Sequence, residues 1–223
     1  MNYSVAEENY IKSVYHLQQQ SNRVSTNHLA EALQTHPASV TDMMKKLLNK
    51  KLVHYEPYRG VKLSSNGKKV ALQIIRKHRL WEYFLVHTLG FGWEEVHDVA
   101  EQLEHVNSPK LIEYLDRFLG HPQFDPHGDP IPDQQGKITF RERLPLLEQP
   151  IGQLLEITGV GNESPSLLEM LKHHHIHLGI RLHIVRKFSF DGSVEVVIDS
   201  AQPVIISQAL ADCLLVKWIG HEK

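Results

Sequence analysis

The sequence has little cysteine and no long apolar run, and each shortage excludes a class of protein. One cysteine among 223 residues, Cys213, excludes an internal disulfide framework and fits a reducing compartment. No stretch approaches the ~18 consecutive apolar residues of a membrane-spanning helix. The first residues, MNYSVAEENYIKS, lack the basic flank and apolar run of a signal peptide, so we expect a cytoplasmic protein without a membrane partner.

What the chain does have is an uneven distribution of charge. The formal net charge is only −2, but eleven Lys and Arg stand against two acidic residues between positions 42 and 79. The rest of the chain holds thirteen basic and twenty-four acidic residues. A basic segment joined to an acidic remainder indicates a polyanion-binding module attached to a second function, with a plain solvated surface as the alternative.

The N-terminal third has the pattern of a winged helix-turn-helix. Apolar residues recur at spacings of three and four over residues 4–18, with Ser4 and Glu7 at capping-box positions. STNHLAEALQ predicts a second helix, and Pro37 fits the first position of a third helix after a short turn. The β-rich runs LVHY and GVKL around EPYRG predict a hairpin, which would be the wing.

The third helix and the wing carry the candidate DNA contacts. Small and polar residues at the start of that helix would face base edges in the major groove, the lysines that follow suit phosphates, and the hairpin tip suits the backbone or the minor groove. The predicted DNA-binding residues are Pro37, Ala38, Ser39, Thr41, Asp42, Lys45, Lys46 and Arg59. Double-stranded DNA is the predicted partner, and a winged helix used for protein contacts is the alternative.

The rest of the chain changes from helical to β-rich. Helical patterns cover 65–87, 93–106 and 109–119, a segment rich in Pro and Gly follows at 121–137, and short β-rich runs lie beyond Pro150. These runs predict a small antiparallel barrel of the SH3-like kind with a helix packed on it. The run HHHIH, 173–177, is interpreted as the turn before a barrel strand rather than as a metal site.

One helical segment, HDVAEQLEH at 97–105, places acidic and histidine side chains on a single face. Helical angles put His97, Glu101, Glu104 and His105 within an arc of about 100° opposite the apolar stripe. Such an arc is also typical of a plain solvent face. His97 and His105 are ~12 Å apart along the axis, which bonds of ~2.1 Å to one ion cannot span. Metal binding on this face therefore requires two ions.

A pair on the preceding helix divides this face into two candidate sites. In KHRLWEYF, His78 and Glu82 are four residues apart, which is a metal-ligand spacing when the face is shielded. His97 would share one ion with this pair, and the remaining residues of the face would hold the other. Without a thiolate, these hard ligands suit Mn²⁺, with Fe²⁺ as the alternative.

Long motifs resemble one known family. HPASVTDMMKKL, YEPYRGVKL and NGKKV, followed by RKHRLWE and VHDVAEQLEHV, resemble the diphtheria-toxin-repressor family in its manganese-transport-regulator branch. The resemblance covers essentially the whole chain, and the C-terminal region is similar to the FeoA or SH3-like third domain of the longer members. It implies a mainly α fold with a winged helix-turn-helix domain at 1–72, a helical metal-binding and dimerisation domain at 73–140 and an SH3-like barrel at 141–223.

The resemblance also implies the full ligand sets. The primary site would consist of Asn9, Glu101, Glu104 and His105. The ancillary site would consist of His78, Glu82 and His97, completed by Asn162 or by its neighbour Glu163. Asn9 stands where the manganese branch commonly has Asp, and Lys12 where some members have Glu. A cation at Lys12 would discourage a paired-ion arrangement, and position 101 is Glu rather than the Cys of the iron-responsive branch.

The function that the resemblance implies is metal-dependent repression of metal-uptake genes. A homodimer loaded with two Mn²⁺ ions per chain, or with Fe²⁺, would bind operator DNA. A di-metal enzyme is the less favoured alternative, because its ions lie ~4 Å apart with an open coordination position. We therefore predict no catalytic residues and no small organic substrate. A winged-helix regulator that senses a different ligand through its third domain is the other alternative.

Overall fold

The computed structural model describes residues 3–56, 59–93, 95–161 and 164–221. The chain forms two compact units, and each is described by itself. Unit 1 comprises Met1–Trp81, Ala100–His121 and Ile131–Ile138, and unit 2 comprises Glu82–Val99, Pro122–Pro130 and Thr139–Lys223. No helix within the described residues is long and apolar enough to cross a membrane.

Unit 1 begins with the predicted winged helix-turn-helix. Its elements are α1 (Val5–Leu17), α2 (Thr26–Ala32), α3 (Pro37–Asn49), β1 (Val53–Glu56) and β2 (Gly60–Leu63). The Ser4 hydroxyl accepts from the Glu7 N–H and the Glu7 carboxylate accepts from the Ser4 N–H, so the predicted capping box starts α1. Pro37 occupies the first turn of α3, and the two strands pair antiparallel. The winged helix-turn-helix prediction is confirmed.

The winged part has its own apolar core, and a glycine in its hairpin allows a close approach of two backbone segments. Ile11, Met44 and Leu47 are fully buried, one from α1 and two from α3. Val24 pairs with Val61 of β2 as an isolated bridge, which adds a third strand segment to the hairpin. Gly60 has φ +89°, and a Cβ there would lie 2.5 Å from the Val24 carbonyl oxygen. Only glycine suits this backbone conformation and this close approach.

Three further helices follow: α4 (Ser65–His87), α5 (Val96–Leu103) and α6 (Pro109–Phe118). They agree with the predicted helical domain, but α5 is shorter than the predicted 93–106. It ends at Leu103, and the next turn leads directly to Ser108, whose hydroxyl caps the N-terminus of α6. Glu104 and His105 therefore lie in the turn after α5 rather than on the helix.

The C-terminal part of unit 2 is an open sheet. Its elements are β3 (Leu144–Pro145), β4 (Gln153–Val160), α7 (Pro165–His173), β5 (Arg181–Lys187), β6 (Val194–Ile198), β7 (Val204–Ile206), α8 (Gln208–Asp212) and β8 (Leu214–His221). The strand order is β3-β8-β4-β5-β6-β7, with antiparallel pairs throughout. Leu168 and Leu171 of α7 belong to the same buried cluster as the sheet residues.

The predicted SH3-like barrel is not closed within the described residues. Closure needs a ladder between the two edge strands, and β3 and β7 do not pair. These edge strands are only two and three residues long, so neither offers a ladder of useful length. In the HHHIH run, His173 ends α7, His175 turns the chain at φ +55°, and Ile176 is buried.

Candidate metal centre

Two acidic residues, Glu101 near the end of α5 and Glu104 in the turn after it, face α1 inside unit 1. The Glu104 side chain is fully buried and that of Glu101 is about one-third exposed. Lys12 Nζ lies 2.5 Å from Glu101 Oε1 and 2.7 Å from Glu104 Oε1. The sequence placed Lys12 close to this site, but it did not predict that the ammonium would join both carboxylates.

Glu104 is the centre of this cluster. His78 Nδ1 lies 2.7 Å from Glu104 Oε2, so this carboxylate contacts Lys12 through one oxygen and the imidazole through the other. Burial raises the pKa of the Glu104 carboxyl, but the His78 hydrogen bond and the Lys12 charge lower it, and its pKa lies below the ordinary value. The residue is therefore a carboxylate at neutral pH, as a metal ligand must be.

His105 is held by a residue that the sequence analysis missed. Its Nδ1 lies 2.6 Å from Glu8 Oε2, and its Nε2 lies 3.7 Å from Glu104 Oε1. A carboxylate accepts the Nδ1–H, so in the neutral ring the lone pair is on Nε2, on the side of Glu104. Carboxylates orient metal-binding histidines in this way. The only sequence signal for Glu8 was its place next to Asn9.

The fourth predicted primary ligand, Asn9, has an unusual environment. Its Oδ1 is buried and has no hydrogen-bond partner among the described residues. A buried polar atom without a partner is costly and calls for an explanation, such as an ion that completes its bonding. The donor atoms of His78, Glu101 and Glu104 also come within 4.8 Å of one another. These residues fit a hard divalent cation.

Of the predicted ancillary ligands, Glu82 and His97 come together in unit 2. Glu82 is buried, and its Oε1 lies 3.4 Å from His97 Nδ1. His78 is one turn before Glu82 on α4. Asn162 and Glu163 lie outside the described residues. His78 was predicted for the ancillary site alone, whereas its Nδ1 contacts Glu104, so the division of the ligands between two ions stays a prediction.

A further group of possible ligands includes two residues of the Pro- and Gly-rich segment at 121–137, for which the sequence predicted no site. Donor atoms of Glu82, Asp125 and His127, all in unit 2, lie within 4.8 Å of one another, and all three residues are buried. His127 Nε2–H donates to the Trp93 carbonyl oxygen at 2.9 Å, which leaves the lone pair of the neutral ring on Nδ1. The sequence signal was an Asp and a His that interrupt a run rich in Pro and Gly.

Most of the predicted DNA-binding residues are exposed on α3 and at the hairpin. Pro37, Ala38, Ser39, Asp42, Lys45 and Lys46 are exposed along α3, and Arg59 is exposed at the hairpin tip. Thr41 is half-buried, and its hydroxyl donates to the Pro37 carbonyl oxygen at 3.0 Å. Lys45 and Asp42 form an exposed ion pair. Contacts of these residues with DNA stay a prediction.

Comparisons with known proteins agree with this architecture. Three family models match in order: the iron dependent repressor N-terminal DNA binding domain at 3–61, the iron dependent repressor metal binding and dimerisation domain at 64–133, and the FeoA domain at 144–217. MntR of Oceanobacillus iheyensis is 39% identical over 114 residues, 51% of this chain and 77% of its own length. IdeR of Mycobacterium leprae is 32% identical over 125 residues, 56% of this chain and only 54% of its own length.

Solved structures of metal-dependent regulators match this chain over nearly its full length. A manganese-dependent transcriptional repressor in complex with manganese has a TM-score of 0.81 at 33% identity, covering 96% of this chain and all of its own. ScaR with bound Cd²⁺ has a TM-score of 0.75 at 32% identity, covering 96% of this chain and 99% of its own. These relatives are regulators, which confirms the prediction that the chain is not an enzyme. The chain belongs to the iron-dependent repressor family of metal-dependent DNA-binding transcriptional regulators.

Proposed function

We propose that this protein is a repressor that binds operator DNA as a homodimer when loaded with Mn²⁺, and thereby controls metal-uptake genes in the cytoplasm. The observation that carries the proposal is the cluster around Glu104, because it joins α1 of the winged helix-turn-helix to the end of α5. Relatives support a divalent ion: one solved structure is a manganese-dependent transcriptional repressor in complex with manganese, IdeR is an iron-dependent repressor, and ScaR has been solved with bound Cd²⁺.

The primary ion would be held by Asn9, Glu101, Glu104 and His105. Carboxylate, amide and one imidazole are ligands that suit Mn²⁺, with Fe²⁺ as the alternative, and no thiolate is present to favour softer ions. When bound, the ion would supply positive charge and directed bonds between α1 and the turn after α5. Asn9 contributes from α1, so the position of the winged helix depends on the state of this site.

We further propose a second ion at Glu82. His97 approaches this carboxylate, and the predicted set adds His78 and either Asn162 or Glu163. Asp125 and His127 are alternative ligands for an ion held by the same Glu82 carboxylate. The count of bound Mn²⁺ in His97→Gln and in His127→Gln, measured by equilibrium dialysis, distinguishes the two sets: one variant should lose an ion and the other should keep both.

The domain boundaries at 1–72, 73–140 and 141–223 belong to the same proposal. The exposed lysines of α3 would contact phosphates, because Lys45 and Lys46 point away from the buried face. Such contacts release counterions, so operator affinity should fall steeply with salt concentration. The helical part would provide the dimer contacts that set the distance between two recognition helices.

The test is metal-dependent DNA binding. A duplex selected from a randomised library in the presence of MnCl₂ is labelled, and fluorescence anisotropy is followed with Mn²⁺, Fe²⁺, Zn²⁺ or EDTA. We expect tight binding with Mn²⁺, loss of binding with EDTA, and loss of the Mn²⁺ response in Glu101→Gln. Glu113→Gln is the matched control, since Glu113 is exposed on α6 and pairs with Arg117 of the same helix. Equal binding with Mn²⁺ and EDTA would overturn the proposal.

A further inference from the structure

Lys12 provides an internal cation at the primary metal site. It lies three residues after Asn9 on α1, so both side chains are on the same side of that helix. Its ammonium contacts one oxygen of each carboxylate, Glu101 Oε1 and Glu104 Oε1, and the side chain is only 12% exposed. Nζ therefore lies in the position from which a cation binds both acidic residues at once.

The two carboxylates need such a cation when no metal is present. Glu104 is fully buried and Glu101 is close to it, so their negative charges would repel each other without a positive neighbour. Lys12 satisfies an oxygen of each and neutralises one of the two charges. It also connects α1 to the end of α5 by side-chain contacts across 89 and 92 residues of sequence.

A divalent ion that binds the same two oxygens would compete with this ammonium. Metal–oxygen bonds are ~2.0–2.2 Å long, and an ion bound to both Oε1 atoms on the side that faces α1 would lie against Nζ. Two cations in contact repel strongly where little water is present to screen them. The carboxylates can therefore hold the ion or the ammonium between them, but not both.

We propose that Lys12 sets the metal affinity of this regulator: metal loading is an exchange in which the ion displaces the Lys12 ammonium from Glu101 and Glu104. The inference rests on the proposed function, since it takes Glu101 and Glu104 as ligands. Lys12 then has two opposite effects. It stabilises the metal-free protein, and it weakens metal binding, which keeps the response in a higher range of ion concentration.

The proposed role predicts that loss of the Lys12 charge lowers the stability of the metal-free protein but raises its metal affinity, and this combination separates it from a merely structural role. Lys12→Met retains most of the apolar stem and removes the charge. Hydrogen bonds to charged groups have net strengths that correspond to about a tenfold to hundredfold change in binding, so Mn²⁺ should bind Lys12→Met tighter by that factor. The midpoint of thermal unfolding in EDTA should fall in the same variant. A structural role would lower both the stability and the affinity.

The experiment measures the dissociation constant of Mn²⁺ from the EPR signal of free Mn²⁺ in titrations of the full chain, with far-UV CD to verify folding. Lys217→Met is the matched control, because Lys217 forms a similar pair with Glu156 at 2.7 Å in unit 2. If Lys12→Met does not fold without metal, Lys12→Gln keeps a neutral donor and should also bind tighter. Unchanged or weaker Mn²⁺ binding in a folded neutral variant overturns the inference. Absence of Mn²⁺ binding to the wild type would instead overturn the proposed function.

Discussion

Replacement of Glu8 is expected to weaken metal binding although Glu8 is not itself a proposed ligand. Its carboxylate lies 2.6 Å from His105 Nδ1, and both side chains are more than four-fifths buried. Without this acceptor, the His105 ring can rotate and can place its lone pair on either nitrogen. The Nε2 that lies 3.7 Å from Glu104 would then be available as a ligand for only part of the time.

The magnitude follows from the role of such partners in metal sites. Loss of a carboxylate that orients a ligating histidine typically costs ~10–100-fold in metal affinity. Glu8→Ala removes the acceptor and should lie at the upper end of this range. Glu8→Gln keeps an amide oxygen that can accept the Nδ1–H, so we expect a loss of about tenfold or less.

Two measurements check this prediction. Mn²⁺ affinity is obtained by EPR titration, and the tautomer of His105 in the metal-free protein is read from its ¹⁵N chemical shifts. We expect the Nδ1–H form in the wild type and a mixture in Glu8→Ala. Glu113→Ala on α6 removes an equivalent charge from an exposed pair and should change neither measurement. Wild-type Mn²⁺ affinity in Glu8→Ala would refute the orienting role.

Two further predictions concern the hairpin. Gly60→Ala should lower the free energy of unfolding by about 1–3 kcal/mol in urea denaturation, because φ is +89° and the new Cβ would lie 2.5 Å from the Val24 carbonyl oxygen. Gly152 is the control, since its φ of +79° is similar but a Cβ there would meet no atom within 4 Å. Gly152→Ala should therefore lose less free energy of unfolding. An equal loss in both variants would show that the close approach has no effect. The pKa of Glu56 is lowered by the hydrogen bond and charge of Arg23, and further by Arg59. Because the folded-state pKa is the lower one, the small stabilisation by these pairs is present above the unfolded-state pKa and disappears as pH falls through the folded-state value. Arg23→Gln should raise the Glu56 pKa in an NMR pH titration, and an unchanged pKa would contradict the assignment.

Local signals in the sequence predicted the winged helix-turn-helix well. The capping box of Ser4 and Glu7 and the proline at position 37 start helices through contacts with residues only a few positions away, so these helix starts can be read from the sequence itself. The end of α5 was predicted three residues too late, because the polar face of HDVAEQLEH continues beyond the helix. The SH3-like barrel was predicted from β-rich runs. Those runs do not show whether the barrel closes, because closure depends on the edge strands, which are two and three residues long and do not pair.

The sequence indicated the residue types of the proposed metal site, but it did not predict the contacts between them. Lys12 is 89 residues from its partner Glu101, and Glu8 is 97 residues from its partner His105. Local periodicity in a sequence does not relate positions so far apart. The approach of His78 to Glu104 likewise depends on how α4 packs within unit 1. Asp125 and His127 were missed because a segment rich in Pro and Gly gives no helical or strand pattern from which a shared face can be inferred.

The end of α5 at Leu103 divides the proposed primary site into a helical part and a turn. Glu101 is on the helix, whereas Glu104 and His105 belong to the turn after it, where the Glu104 N–H makes the last helical hydrogen bond, to the Ala100 carbonyl oxygen at 2.8 Å. The dihedral angles of a turn adjust at lower cost than those of a helix, because fewer hydrogen bonds must break. Ions of different radius can thus be accommodated by the turn while α4 and α5 stay unchanged. The discrimination between Mn²⁺ and Fe²⁺ would then depend on the stiffness of residues 104–108 as well as on the chemical type of the ligands.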